Sequence, residues 1–142
     1  MTISRSSVLG TWKLLSLDVE FQASGERQQP YGPHPDGYLI LTPEGRTMAV
    51  VAAKGRKPGL KVEEQAELLR TLLAYTGTYK LSGNKFITKV DVSWNEAWTG
   101  TEQERFFEVQ DDRLTIVTAW LPNPNLPGGP IVRGSLTFER AK

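Results

Sequence analysis

Cysteine is absent from the 142 residues, and histidine occurs once, at His34. The first absence excludes a disulfide framework, thiolate catalysis and a thiolate metal site, and it fits a reducing compartment. The second excludes a histidine cluster, a Ser-His-Asp arrangement and a haem held by two histidines. Neither a metal nor a cofactor is expected. An excess of charge of one sign is also lacking. Seventeen Lys and Arg stand against sixteen Asp and Glu, a formal net charge of +1, so there is no basic field to bind nucleic acid or an anionic membrane. No apolar run approaches membrane-span length, and the opening MTISRSSV has no apolar leader core; a cytoplasmic location is expected. The stretch GRKPG at 55–59 lacks the spacing, and the Ser or Thr after Lys, of a phosphate-binding loop.

What is present is a series of strand-length apolar segments punctuated by turn residues. The length suits one domain over 1–142, able to bury roughly two thirds of the surface its unfolded chain exposes. Strands are predicted at 12–21, 38–42, 47–53, 75–81, 86–94, 101–109, 114–121 and 131–140. Pro43-Glu44-Gly45, Ser82-Gly83-Asn84 and Gln110-Asp111-Asp112 supply hairpin turns. The connections ASGERQQPYGPHPDG and PNPNLPGGP are polar and rich in proline or glycine. One segment departs from the alternation. In KVEEQAELLRTLLAY, Val62, Ala66, Leu69 and Leu73 recur at helical spacing, with Glu63, Glu64 and Glu67 early and Arg70 late. This predicts one amphipathic helix over about 61–74, whose apolar face covers a mouth or side of the sheet.

Eight successive antiparallel strands must protect their edges, and closing the sheet is the simplest way. The fold expected is all-β: an eight-stranded antiparallel barrel with one helix between strands, wide enough to be filled by side chains or to hold one small ligand. Closure brings Trp12 on the first strand near Arg133 and Arg140 on the last.

Gly10-x-Trp12 together with a basic residue on the final strand resembles the lipocalin signature, which implies that Trp12 plugs the closed end with Arg140 across it. LGTWKLLS, YGPHPDGYLILTPEGRTMAV, LAYTGTYKLSG, WTGTEQERFFEV, DDRLTIVT and the terminal FER extend the likeness over nearly the whole chain. More specifically, the chain resembles the lipocalin-like domain family of short intracellular bacterial and fungal proteins. Many of those relatives carry histidine where this chain has Thr88-Lys89, so an activity that needs those histidines is not implied here.

Strand alternation maps the interior independently. Over 101–109, Glu102, Glu104, Phe106 and Glu108 share the outer face, which turns Gln103, Arg105 and Phe107 inward. A guanidinium inside a barrel requires an anion or several acceptors. Asp18, on the face of Trp12, Leu14 and Ser16, is the structural partner expected unless a bulge intervenes; a ligand carboxylate, enolate or phenolate is the functional one. The same alternation turns Phe86, Thr88, Val90, Val92 and Trp94 inward, and likewise Leu114, Ile116, Thr118 and Trp120. Leu15, Leu17 and Val19 would then face outward, either under the helix or against a second copy, and the row suggests a homodimer. Tyr38, Tyr75, Tyr79, Trp94, Trp98 and Trp120 are numerous for one small barrel, and planar ligands are often held by such residues.

The candidate ligand-binding set is therefore Arg105, Gln103, Thr88, Tyr75, Tyr38, Trp94, Trp120 and Phe107, and the plug is Trp12 with Arg140. Three readings follow. The barrel binds a small apolar or aromatic molecule, acidic in one form of the reading, as carrier or sequestering protein. Alternatively it is an isomerase or cyclase, in which Arg105 or a tyrosine polarises an oxygen and His34 or Asp18 moves a proton. Or the interior is filled and the barrel is structural.

Overall fold

The computed structural model describes residues 7–123 and 126–141. The first six residues of the N-terminal stretch discussed above and residues 124 and 125 of the PNPNLPGGP connection lie outside the described residues. Alternating apolar residues build eight long strands: β1 (Gly10–Phe21), β3 (Asp36–Leu41), β4 (Arg46–Ala52), β5 (Leu72–Ser82), β6 (Lys85–Ser93), β7 (Glu102–Gln110), β8 (Arg113–Thr118) and β10 (Ile131–Arg140). Two-residue pieces, β2 (Arg27–Gln28) and β9 (Leu121–Pro122), attach to β1 and β10. Around the barrel the order is β1-β3-β4-β5-β6-β7-β8-β10, and β10 pairs back onto β1, with Trp12 opposite Arg140 and Phe21 opposite Val132. The result is a closed antiparallel barrel with no free edge among its long strands.

Turn chemistry sets the hairpins. Gly45 and Gly83 take φ of +94° and +60°, and Asp111 takes +55°, the left-handed conformations that tight hairpin turns need. Gly45 also closes its turn by donating its N–H to the Thr42 carbonyl at 3.2 Å.

Helix α1 (Val62–Arg70) is shorter than the 61–74 predicted. Its start follows the local chemistry, with the Lys61 N–H donating to Glu64 Oε1 at 3.1 Å. Its end is decided by neighbours. Leu72 and Leu73 pair with Ala52 and Val51 of β4, while Arg56 Nη2 and the Thr71 hydroxyl donate to the last helical carbonyls. The pattern that placed Leu73 on the helix is overridden by the ladder it joins. Nor does α1 seal the barrel: none of its residues is buried, and Val62 is 77% exposed. Leu69 and Arg70 border the cavity described below. Among the described residues, no helix is long and apolar enough to cross a membrane.

Two bulges redirect the strands. In β1 the register shifts between Leu14 and Ser16, so Leu15 is an extra residue and the alternation reverses beyond it. Leu17 and Val19 are buried inside, and Asp18 turns outward to accept a hydrogen bond from Gln29 Nε2 at 3.0 Å. The expected outward row of Leu15, Leu17 and Val19 is thereby broken, and with it the surface that suggested a second copy. In β6 the shift between Thr76 and Gly77 of its partner makes Asp91 the extra residue. Asp91 meets Arg46 outside at 2.7 Å, and Val92, expected inside, is 64% exposed.

The closed end is built around Trp12, which has no solvent exposure. Its Nε1–H donates to the Val8 carbonyl at 3.0 Å, and the Arg140 guanidinium carbon lies 4.0 Å from its ring centroid. Arg140 also donates to the carbonyls of Leu9 and Ser7 at 2.6 and 2.9 Å. Gly10 is required twice: its φ is +112°, and a Cβ there would sit 3.2 Å from Arg140 Nη1. Phe138, Leu114 and Leu41 belong to the same buried core.

Candidate binding cavity

Above that plug the barrel is hollow. A cavity of about 780 Å³ opens at the other end, within the range that holds one small organic ligand. Its walls are mainly apolar: Leu17 and Val19 from β1, Leu39 from β3, Val51 from β4, Ile116 from β8 and Leu136 from β10. Polar residues border it in several places, Arg70 from α1, Glu96 and Glu102 before and at the start of β7, Thr118 from β8 and Asn123 beyond β9, and one group of them lies on the β5–β7 side. Tyr75, Gln103 and Arg105 line the cavity there, with Trp94 and Trp98 from the β6–β7 connection.

Local sequence explains that connection. Asn95 Oδ1 accepts from the Ala97 N–H at 3.0 Å, and successive turns bring Trp98 N–H to the Asn95 carbonyl and Thr101 N–H to the Trp98 carbonyl. Folding the chain back in this way sets the Trp94 and Trp98 rings edge to face at 5.1 Å, with the Tyr75 ring 5.4 Å from Trp98. Gly100 completes the return with φ +83° and donates to the Val90 carbonyl at 2.8 Å.

Arg105 enters this aromatic corner, its guanidinium carbon 5.7 Å from the Trp98 ring centroid. Nη1 and Nη2 each donate to Gln103 Oε1 at 3.3 Å, and Nη1 also donates to the Glu104 carbonyl at 3.2 Å. Gln103 Nε2 donates to Thr101 Oγ1 at 2.8 Å, whose hydroxyl donates to the Trp98 carbonyl at 2.6 Å. Asp18, the partner expected from alternation, stands outside the barrel because of the β1 bulge. Among the described residues no carboxylate forms an ion pair with Arg105. Burial pushes the Arg105 guanidinium below its ordinary value, with Tyr75 opposing, and burial raises the Tyr75 phenol, with Arg105 opposing. Both side chains are half-buried and line the cavity.

The other expected residues divide. Tyr38 borders the cavity but stands on the opposite face from Gly37 and Leu39 and is 48% exposed. Thr88 faces inward yet does not line the cavity. Gly77 has no side chain, so the Thr88 methyl sinks against β5, 3.1 Å from where a Gly77 Cβ would lie. Phe107 belongs to the buried core and not to the cavity wall. Trp120 lies off the cavity because β8 ends at Thr118, beyond which strand alternation no longer applies. Its ring instead carries the Arg133 guanidinium, 4.5 Å from the centroid, and Arg133 is held by Glu20 at 2.6 Å. His34 is exposed and also off the cavity. Among the described residues no group of three or more metal-ligating carboxylate, histidine or cysteine side chains forms.

Sequence reasoning missed Tyr31 and Pro30, which line the cavity from the long connection after β1. An aromatic between prolines in a polar loop was the available signal. Burial raises the Tyr31 phenol to about 12.

A closed eight-stranded antiparallel barrel, plugged at one end by a Trp–Arg pair and hollow toward the other, is a barrel of lipocalin type. The model of the lipocalin-like domain family matches residues 9–141, and the chain belongs to that family. Among solved structures, an uncharacterized protein from Bacteroides eggerthii DSM 20697 is similar at 15% sequence identity and a TM-score of 0.47, covering 94% of this chain and 98% of that one. No curated protein matches the chain.

Proposed function

We propose that the barrel binds a small apolar or aromatic molecule inside its cavity, as a carrier or sequestering protein. The observation that carries this reading is the hollow, mainly apolar interior of about 780 Å³ with Tyr75, Gln103 and Arg105 on its β5–β7 side. Such an arrangement removes an apolar ligand from water and orients it by a few directional contacts. The isomerase or cyclase reading loses its proton carriers, since Asp18 and His34 both lie off the cavity. The filled, structural barrel is at odds with the volume left open.

Native mass spectrometry on gently purified protein, followed by denaturing extraction, tests the proposal. A stoichiometric small molecule that is released on denaturation supports it. Protein that is empty, and whose tryptophan emission does not respond to any apolar probe, would overturn it.

A further inference from the structure

The cavity contains one cation whose hydrogen bonds are incomplete in a defined way. A guanidinium presents five N–H donors in one plane. In Arg105, Gln103 Oε1 takes one N–H from each terminal nitrogen, and the Glu104 carbonyl takes the other N–H of Nη1. Nε–H and the second N–H of Nη2 remain, side by side on one edge, with no protein acceptor among the described residues. A pair of parallel donors matches two oxygens of one planar group in two straight bonds, whereas the single oxygen of a phenolate would have to share both donors, as Gln103 Oε1 does at 3.3 Å from each nitrogen. A dianionic phosphate would call for more positive charge than one guanidinium. The other cation bordering the cavity, Arg70, is at the mouth and paired with Glu67 at 3.0 Å.

The surroundings extend the match. Gln103 is itself oriented through Thr101 to the Trp98 carbonyl, so the acceptor that holds the rear of the guanidinium is fixed in direction. Gln103 is thus a positioning residue. Trp98, Trp94 and Tyr75 form an aromatic corner against the guanidinium, whose carbon lies 5.7 Å from the Trp98 ring centroid. In the cyclic strand order β3 stands across the barrel from β7, and β1 across from β6. Leu39, Leu17 and Val19 therefore face the β5–β7 side from across the barrel.

We propose that the ligand is a monocarboxylic acid with a flat apolar body, its carboxylate docked on the Nε–H and Nη2–H edge of Arg105 and its body between the Trp98 corner and the β1–β3 wall. The inference rests on the cavity reading above and adds to it the acid group and its anchor.

Pyrene-1-butyrate and its primary amide separate the two claims, because they share the same apolar body and differ in the acid group. Binding is read at neutral pH by energy transfer from tryptophan to pyrene and by calorimetry. The wild-type protein is expected to bind the carboxylate about tenfold or more tighter than the amide, a difference of about 1.4 kcal/mol. Arg105→Gln should bind the two alike, and Arg105→Lys, which keeps the charge without the fork, should give an intermediate ratio. Equal binding by the wild type overturns the carboxylate and leaves the cavity reading standing. Binding of neither probe overturns both. A carboxylate preference that survives in Arg105→Gln overturns the assignment to Arg105. The wild-type comparison requires no variant, so it decides the acid group even if the substitutions disturb folding.

Discussion

Trp12 and Arg140 offer the sharpest test of how the barrel is closed. Trp12 has no exposure, so Trp12→Ala removes a complete indole from the core, and truncations of this size cost about 3–5 kcal/mol. Part of that is the Val8 carbonyl, which loses the indole N–H it accepts at 3.0 Å; an orphaned buried acceptor costs about 1–3 kcal/mol. Trp12→Phe, which keeps a ring but not the N–H, should therefore cost about 2 kcal/mol. Arg140→Met keeps the stem over the ring but removes the donors to Leu9 and Ser7 and the charge 4.0 Å from the indole. With one third of the side chain exposed to water, a loss of about 2 kcal/mol is expected. The double variant isolates the ring–guanidinium contact, and a coupling of about 1 kcal/mol is expected. Urea unfolding followed by far-ultraviolet circular dichroism is the assay, since tryptophan emission would change with the substitution itself. A loss below about 1 kcal/mol for Trp12→Ala would refute a buried plug, and zero coupling would refute the stack as a stabilising contact.

Three further outcomes are expected. Tyr31 titrates near 12 in the folded barrel against 10.0 when unperturbed. Its contribution is thus intact below pH 10, and stability falls as pH rises from about 10 to 12, by on the order of 2–3 kcal/mol; alkaline unfolding curves for Tyr31→Phe should be flatter, and identical curves would contradict the burial. Thr88 Oγ1 is buried without a hydrogen-bond partner among the described residues, so Thr88→Val should stabilise the protein by about 1 kcal/mol in chemical denaturation; a loss would mean that the hydroxyl is bonded. Gly77→Ala would bring a Cβ to 2.1 Å from the Lys89 carbonyl oxygen, whereas at Gly83 the same atom meets open space. Gly77→Ala should lower the thermal midpoint well beyond Gly83→Ala, which carries only a left-handed φ penalty of about 1 kcal/mol; equal shifts would refute the close approach.

The particular successes and failures of sequence reading share a cause. Arg105 and Gln103 were legible as inward because β7 is regular and its glutamates mark the outer face by simple alternation. The same rule applied to β1 put Asp18 inside and Leu17 outside, and applied to β6 it put Val92 inside. In both strands one extra residue, Leu15 or Asp91, reverses the faces beyond it. Thr88 was correctly turned inward yet missed the cavity, since its depth depends on a glycine in the neighbouring strand.

By itself the sequence determined the eight long strands, the hairpin turns, the existence of one helix and the approach of Trp12 to the last strand, while the Trp12–Arg140 plug was what the lipocalin resemblance implied. The features so determined depend on residue periodicity, on left-handed turn positions and on the pairing of the first and last strands that closure demands, all of which are written along the chain. Only the tertiary structure decided where the bulges fall, where α1 gives way to β5, and that Arg105 has no carboxylate partner among the described residues. A bulge exists only relative to the strand opposite, and a helix competes with whichever ladder its last turn could join. The partners of a side chain inside a barrel come from strands distant in sequence, so the open edge of Arg105 became visible only once all eight strands had closed around it.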